Sequence, residues 1–128
     1  VQKQRKPPAW KRKQLEANMT TTEGYREWTC WTMLEETLQD HVLRLAGLRG
    51  WELAYHTHDS RRSASGFPDL VLASESRGRV LYMELKAEGE KPSPAQLGWG
   101  RVLTACGQEH HFLQPSDLES GRIGGILL

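Results

Sequence analysis

The sequence predicts an α/β fold whose elements run helix, strand, strand, strand, helix, strand. Three observations predict it. Leu34, Leu38, Val42 and Leu45 recur at spacings of four, four and three, the period of a helix with one apolar face. Leu70-Val71-Leu72 and Val80-Leu81-Tyr82-Met83-Glu84-Leu85-Lys86 are short aliphatic runs parted by a polar, glycine-containing segment, the pattern of a hairpin. Ser93-Pro94 opens a helical stretch that stops at Gly107, with a capping hydroxyl and a first-turn proline.

Length and composition set the frame. A chain of 128 residues, 38% hydrophobic, fits one domain with one modest core. The formal net charge is +1 but unevenly placed: Lys3, Arg5, Lys6, Lys11, Arg12 and Lys13 face only Glu16 within residues 1–20, which leaves the remainder net acidic. A basic stretch on a mildly acidic body suggests a polyanionic partner. Cys30 and Cys106 form no disulfide framework and no CxxC zinc pair, which favours a reducing, intracellular compartment, the cytoplasm or the one that holds DNA. No stretch has the length and apolarity of a membrane span, so no membrane partner is expected. The chain begins at Val1, consistent with a processed product or a piece of something longer.

In order, residues 1–24 read as a basic, flexible arm, because Pro7-Pro8 and the charge run oppose a helix at the start, with a short helix conceivable over 11–19. Residues 25–128 read as the folded domain. Trp10 is unusual for an arm and would dock on the body, on a second subunit or on a base. The first helix is expected over 32–46, ended by Gly47 and Gly50, with Glu35 and Gln39 on one face. Thr32-x-x-Glu35 also reads as a capping box. Residues 51–56 form the first strand. His56, His58 and Asp59 superficially resemble a metal cluster, but zinc would need a further placed ligand.

Gly66 before Phe67-Pro68-Asp69 suggests a tight bend that delivers Asp69 at a fixed place. Glu88 and Glu90 fit a solvated loop. In the helix over 94–106, Gly98 and Gly100 each cost roughly 0.5–1 kcal/mol relative to Ala and would permit close packing. A last strand follows at 110–114, where His110 and His111 point to opposite faces and so cannot share one ion. The tail Ile126-Leu127-Leu128 needs cover from its own core or a neighbouring subunit.

The hairpin carries the chemistry. Side chains alternate along a strand, so Val80, Tyr82, Glu84 and Lys86 share one side while Leu81, Met83 and Leu85 share the other. Antiparallel pairing brings Asp69, at the start of one strand, opposite the end of the next. Asp69, Glu84 and Lys86 then converge at one edge of the sheet. Two carboxylates a few ångströms apart repel unless a cation sits between them, and Mg²⁺ suits such a pair because it keeps several waters. A lysine beside it can orient water or offset charge growing on a phosphate, which makes phosphodiester hydrolysis coherent. Solvated charges at a strand end are the plain alternative.

Pro68-Asp69, fourteen residues and then Glu84-Leu85-Lys86 resemble the PD-(D/E)XK nuclease pattern. Ser60-Arg61-Arg62-Ser63 running into Gly66-Phe67-Pro68-Asp69-Leu70, with Gln96 beyond the second strand, resembles its VRR-NUC branch over about residues 35–116. The resemblance implies a restriction-endonuclease-like αβββαβ core with a small mixed sheet. It implies an Mg²⁺-dependent endonuclease, with Mn²⁺ able to substitute. Asp69, Glu84 and the Leu85 carbonyl would ligate the metal, Glu35 on the first helix would complete or support the site with Glu36 as its rival, and Lys86 would act on the attacking water. Gln96 would support the site. His56, Arg61 and Arg62 would contact DNA, with Lys91 as an auxiliary contact. Small stand-alone relatives look like symmetric resolvases, so a homodimer cutting four-way (Holliday) junctions is expected. Its candidate interface is the apolar tail and the Trp28/Trp31 pair. A catalytically idle DNA-binding or structural module, or a nuclease acting on linear, flapped or single-stranded substrates, is the alternative.

Overall fold

The computed structural model describes residues 3–57 and 62–128. The elements are α1 (Ala9–Ala17), α2 (Thr22–Thr32), α3 (Glu35–Leu48), β1 (Leu53–His56), β2 (Leu70–Ser74), β3 (Arg79–Leu85), α4 (Pro94–Ala105), β4 (Glu109–Leu113), α5 (Pro115–Glu119) and α6 (Arg122–Ile126). One four-stranded sheet has the order β1-β2-β3-β4. The first three strands are antiparallel and β4 joins β3 in parallel. A parallel neighbour needs a crossover, which α4 supplies. The run α3-β1-β2-β3-α4-β4 is the expected αβββαβ core with a mixed sheet.

The two faces of the sheet differ as alternation requires. Leu70, Leu72, Leu81, Met83, Leu85 and Leu113 are buried on one face against Leu38, Val42 and Ala46 of α3 and Ile123 and Leu127 of the C-terminal segment. The opposite face carries Glu84. There α4 lies close over β4, because a Cβ on Gly100 would come within 2.8 Å of the His110 ring.

Two expectations are corrected. The region read as a poorly ordered arm holds α1 and the start of α2. Leu15 of α1 is buried, Lys11 pairs with Glu27 of α2 at 2.9 Å and stands 5.4 Å from the Trp31 ring centre, and Trp10 meets Trp31 edge-on at 5.7 Å. A nine-residue helix is marginal alone, so these tertiary contacts stabilise what local propensity does not. The helix expected over 32–46 starts later, as α3 from Glu35, because Met33 and Leu34 are extended and part it from α2. Thr32 is therefore no cap for α3. Its hydroxyl donates back to Trp28 O at 3.0 Å and Thr29 O at 3.3 Å, inside α2.

At the end of the sheet marked by the β2–β3 turn, the chain closes on itself. The Arg77 and Arg79 guanidinium groups lie over the Trp51 ring, 5.0 and 5.2 Å from its centre, and Trp51 Nε1 donates to Leu127 O at 2.9 Å. Arg79 donates to Ile126 O at 2.9 Å and to both oxygens of Glu109, at 3.1 and 2.8 Å. Of the apolar tail, Leu127 is thus buried in the chain's own core with Ile126 packed against it, while Leu128 stays exposed, which withdraws Leu127 from the surface offered to a second subunit.

Candidate active site

Asp69 reaches its place through a loop fixed on both sides. Gly66 has φ +82°, and a Cβ there would fall 2.4 Å from Ala95 C and 2.7 Å from Gln96 N, so only glycine lets this bend press onto the start of α4. Trp99 of α4 donates from Nε1 to Ser65 O at 3.0 Å, and its ring meets Phe67 edge-on at 5.1 Å. From the other side, Thr57 N donates to Asp69 O at 3.0 Å and the Thr57 hydroxyl to Pro68 O at 3.1 Å. With Leu70 paired to Met83, the register puts Asp69 opposite Glu84. Asp69 Oδ2 accepts the Leu85 amide at 2.8 Å.

Glu84 is 2% exposed. Its Oε1 accepts from Gln96 Nε2 at 2.6 Å, whereas Oε2 is buried with no hydrogen-bond partner. Burial pushes the Glu84 carboxyl up to about 8; the neighbouring Asp69 carboxylate pushes the same way, Lys86 opposes them, and Glu35 adds a smaller push. Gln96 holds this position because it is also the third residue of α4's capping box. Ser93 Oγ accepts from Gln96 N at 3.2 Å and Gln96 Oε1 accepts from Ser93 N at 2.8 Å.

Glu35 opens α3, and its Oε1 accepts from the amide of Ala87, the residue after Lys86, at 3.4 Å. Burial raises its pKa; Lys86 and the Ala87 amide act against that rise, and the charges of Asp69 and Glu90 with it. Glu35 and Glu36 both line a cavity of about 600 Å³ with Lys3, Arg5, Leu34, Ala87 and Glu90. Among the described residues, no three His, Cys, Asp or Glu side chains are gathered closely enough to hold one ion. Glu35 acts on Glu84 electrostatically from the start of α3.

The remaining expected contacts are more scattered. His56 stands opposite Leu70, on the α3 face rather than the carboxylate face, with its Nδ1 3.5 Å from Gln39 Nε2. Arg62 and Lys91 are exposed. Arg61, like His58 and Asp59, lies outside the described residues. Sequence reasoning missed the bracing of the turn after Lys86: Gly89 N donates to Gln114 Oε1 at 2.8 Å, and Glu88 accepts from Ser116 N at 2.8 Å and Oγ at 3.0 Å. No local signal in a polar loop announces such contacts.

The VRR-NUC domain model matches residues 8–114, from α1 to the end of β4. Over 55 residues the chain is 40% identical to "Putative nuclease p44" of Acyrthosiphon pisum secondary endosymbiont phage 1, a stretch covering 43% of this chain and 58% of that protein. This chain therefore spans little more than half of that relative's length. No solved structure matches it. No described helix is long and apolar enough to cross a membrane. With the family match taking in the whole αβββαβ core and the loop, strand and helix that position Asp69, Glu84 and Gln96, the chain belongs to the VRR-NUC family.

Proposed function

We propose that the chain is a metal-dependent endodeoxyribonuclease that hydrolyses phosphodiester bonds, acting as a homodimer on branched DNA and on four-way junctions in particular. The observation that carries the hydrolytic reading is Glu84 Oε2, a buried carboxylate oxygen beside Asp69 that lacks a partner. A buried carboxyl crowded by a second acid and left with an unpaired oxygen is costly. The donor set of Asp69, Glu84 and the Leu85 carbonyl is all oxygen, which fits Mg²⁺ or Mn²⁺ completed by waters. Bound there, the ion would polarise a phosphoryl oxygen and lower the pKa of a water.

The protein's own groups divide the remaining work. Gln96 fixes Glu84 Oε1 and leaves Oε2 without a hydrogen-bond partner. The Leu85 amide holds Asp69 Oδ2 and so sets the carboxylate's plane. Lys86 brings a positive charge within reach of Glu84 and Glu35, where it would orient the attacking water and offset charge building on phosphorus. Exposed Arg62 and Lys91 would meet flanking phosphates, with Arg61 beside Arg62 in the chain.

The junction preference rests on symmetry. Resolving a four-way junction takes two incisions related by a two-fold axis, and one chain has one carboxylate pair. The name of the phage relative supports nuclease activity and says nothing of DNA shape. The test is a panel of linear, flapped and four-way DNA with Mg²⁺, with Mn²⁺ and with chelator, alongside sedimentation. Paired symmetric cuts by a dimer in Mg²⁺ are expected. A strict monomer that prefers plain duplex would remove the resolvase reading, and cleavage undiminished by chelator would remove the metal.

A further inference from the structure

We propose that Arg5 is a positioning residue of the catalytic site, and that the N-terminal segment works there as a staple rather than as a DNA-binding arm. The inference rests on the hydrolase reading above and assigns this site a part from the other end of the chain.

Helix α2 ends at Thr32 and leaves carbonyls without helical partners. Arg5 meets two of them: its backbone N donates to Thr32 O at 2.9 Å and its Nη1 to Trp31 O at 3.1 Å. The same Nη1 donates to Glu88 O at 2.9 Å, and Nη2 lies 3.5 Å from the Glu90 carboxylate. One guanidinium, 19% exposed, therefore joins two backbone segments far apart in sequence. The first is the α2–α3 junction, which places Glu35 three residues after Thr32. The second is the turn that begins directly after Lys86. Between them runs the hydrogen bond from Ala87 N to Glu35.

The packing agrees with this arrangement. Gly89, with φ +81°, lies against Trp31 so closely that a Cβ would fall 2.6 Å from the ring. Arg5 thus fixes the separation of Glu35 and Lys86, both of which act electrostatically on Glu84. A planar fork of five donors can bond two carbonyls and a carboxylate at once, which a lysine ammonium does less well. Lys6 and Lys13 in the same segment are exposed. An electrostatic arm would use them as readily as Arg5.

The test compares Arg5→Ala, Arg5→Lys and Lys6→Ala in the full chain. Single-turnover cleavage at saturating DNA in Mn²⁺ should fall by about tenfold or more in Arg5→Ala, since small misplacements of reacting groups are costly. Its DNA affinity and salt slope should stay at the wild-type values, Arg5→Lys should recover only part of the rate, and Lys6→Ala should cut normally. Amide hydrogen exchange should accelerate at Ala87 and Gly89 in Arg5→Ala and not in Lys6→Ala. Matching losses of affinity and salt slope in Arg5→Ala and Lys6→Ala would overturn the staple in favour of an arm. Unchanged exchange at Ala87 would overturn it even if the wild-type chain cut no DNA, a result that would separately sink the hydrolase reading.

Discussion

Glu84 and Glu109 stand on neighbouring strands of one sheet, and their surroundings drive them in opposite directions. Glu109, near the β2–β3 turn, loses something to burial but is more than compensated by Arg79 and His111, which hold its pKa below the usual carboxylate value. Arg79 grips both its oxygens and His111 Nε2 lies 3.1 Å away. Glu84, at the other end, has one donor, one orphaned oxygen and a second carboxylate opposite. The same residue type is a finished structural joint in one place and an acid with an unsatisfied oxygen in the other. Sites that bind or react are where a fold tolerates such incompleteness.

The largest effect should come from Glu84→Gln. Cleavage should fall by about a thousandfold or more, while circular dichroism and DNA binding stay close to wild type, because the Gln96 hydrogen bond has an oxygen to keep. Full activity of this variant in Mg²⁺ would remove Glu84 from the chemistry.

Next is Lys86→Ala, expected to lower the single-turnover rate by about a hundredfold while changing DNA affinity little. Equal losses in both would reduce Lys86 to an ordinary phosphate contact.

Glu109→Gln should do the reverse of Glu84→Gln: stability near neutral pH falls by about 1 kcal/mol, since the Arg79 pair is partly exposed, and cleavage per folded molecule is unchanged. A large catalytic loss without loss of stability would mean that the two ends of the sheet are not independent.

The smallest effect is in the pH dependence of stability without metal. Glu84's folded pKa, about 8, lies above its unfolded value, so its contribution is fully present below the unfolded pKa and is lost as pH rises toward 8. Glu109's folded pKa is depressed, so its contribution is present above the unfolded pKa and lost as pH falls. In chelator, the melting temperature of wild type should decline from pH 5 to pH 8 more than that of Glu84→Gln, and Mn²⁺ should restore it most at the upper end. Parallel melting curves for the two proteins across that range would show that Glu84 titrates as an ordinary surface acid.

The core was legible where a local rule dictates geometry. Alternation along β3 separates Glu84 from Leu81, Met83 and Leu85, and a short turn fixes the register that sets Asp69 opposite Glu84. Ser93-Pro94 marked the start of α4, which placed Gln96 in its first turn. What stayed hidden depends on distant partners. Nothing local in Pro7-Pro8 and a basic run shows that Leu15 will be buried or that Trp31 will receive Trp10 and Lys11. The apolar stripe from Leu34 to Leu45 carries no mark of the break at Met33 and Leu34, because the carbonyls exposed there are met by Arg5, far earlier in the chain. His56 shows the limit of the strand rule: alternation assigns a face, but which face is the reactive one depends on the helix that covers it.

Gln96 has a consequence for how this domain can vary. Its Oε1 closes the capping box and its Nε2 holds Glu84, so one side chain answers to two independent demands. Glutamate would keep the cap and set a negative charge against Glu84. Leucine would abandon both, and asparagine, one methylene shorter, would fall short of at least one. Any substitution here changes the helix end and the orientation of the buried acid together. The position is a point of epistasis, where replacements elsewhere in α4 or at residue 84 would have to arrive in pairs to be tolerated.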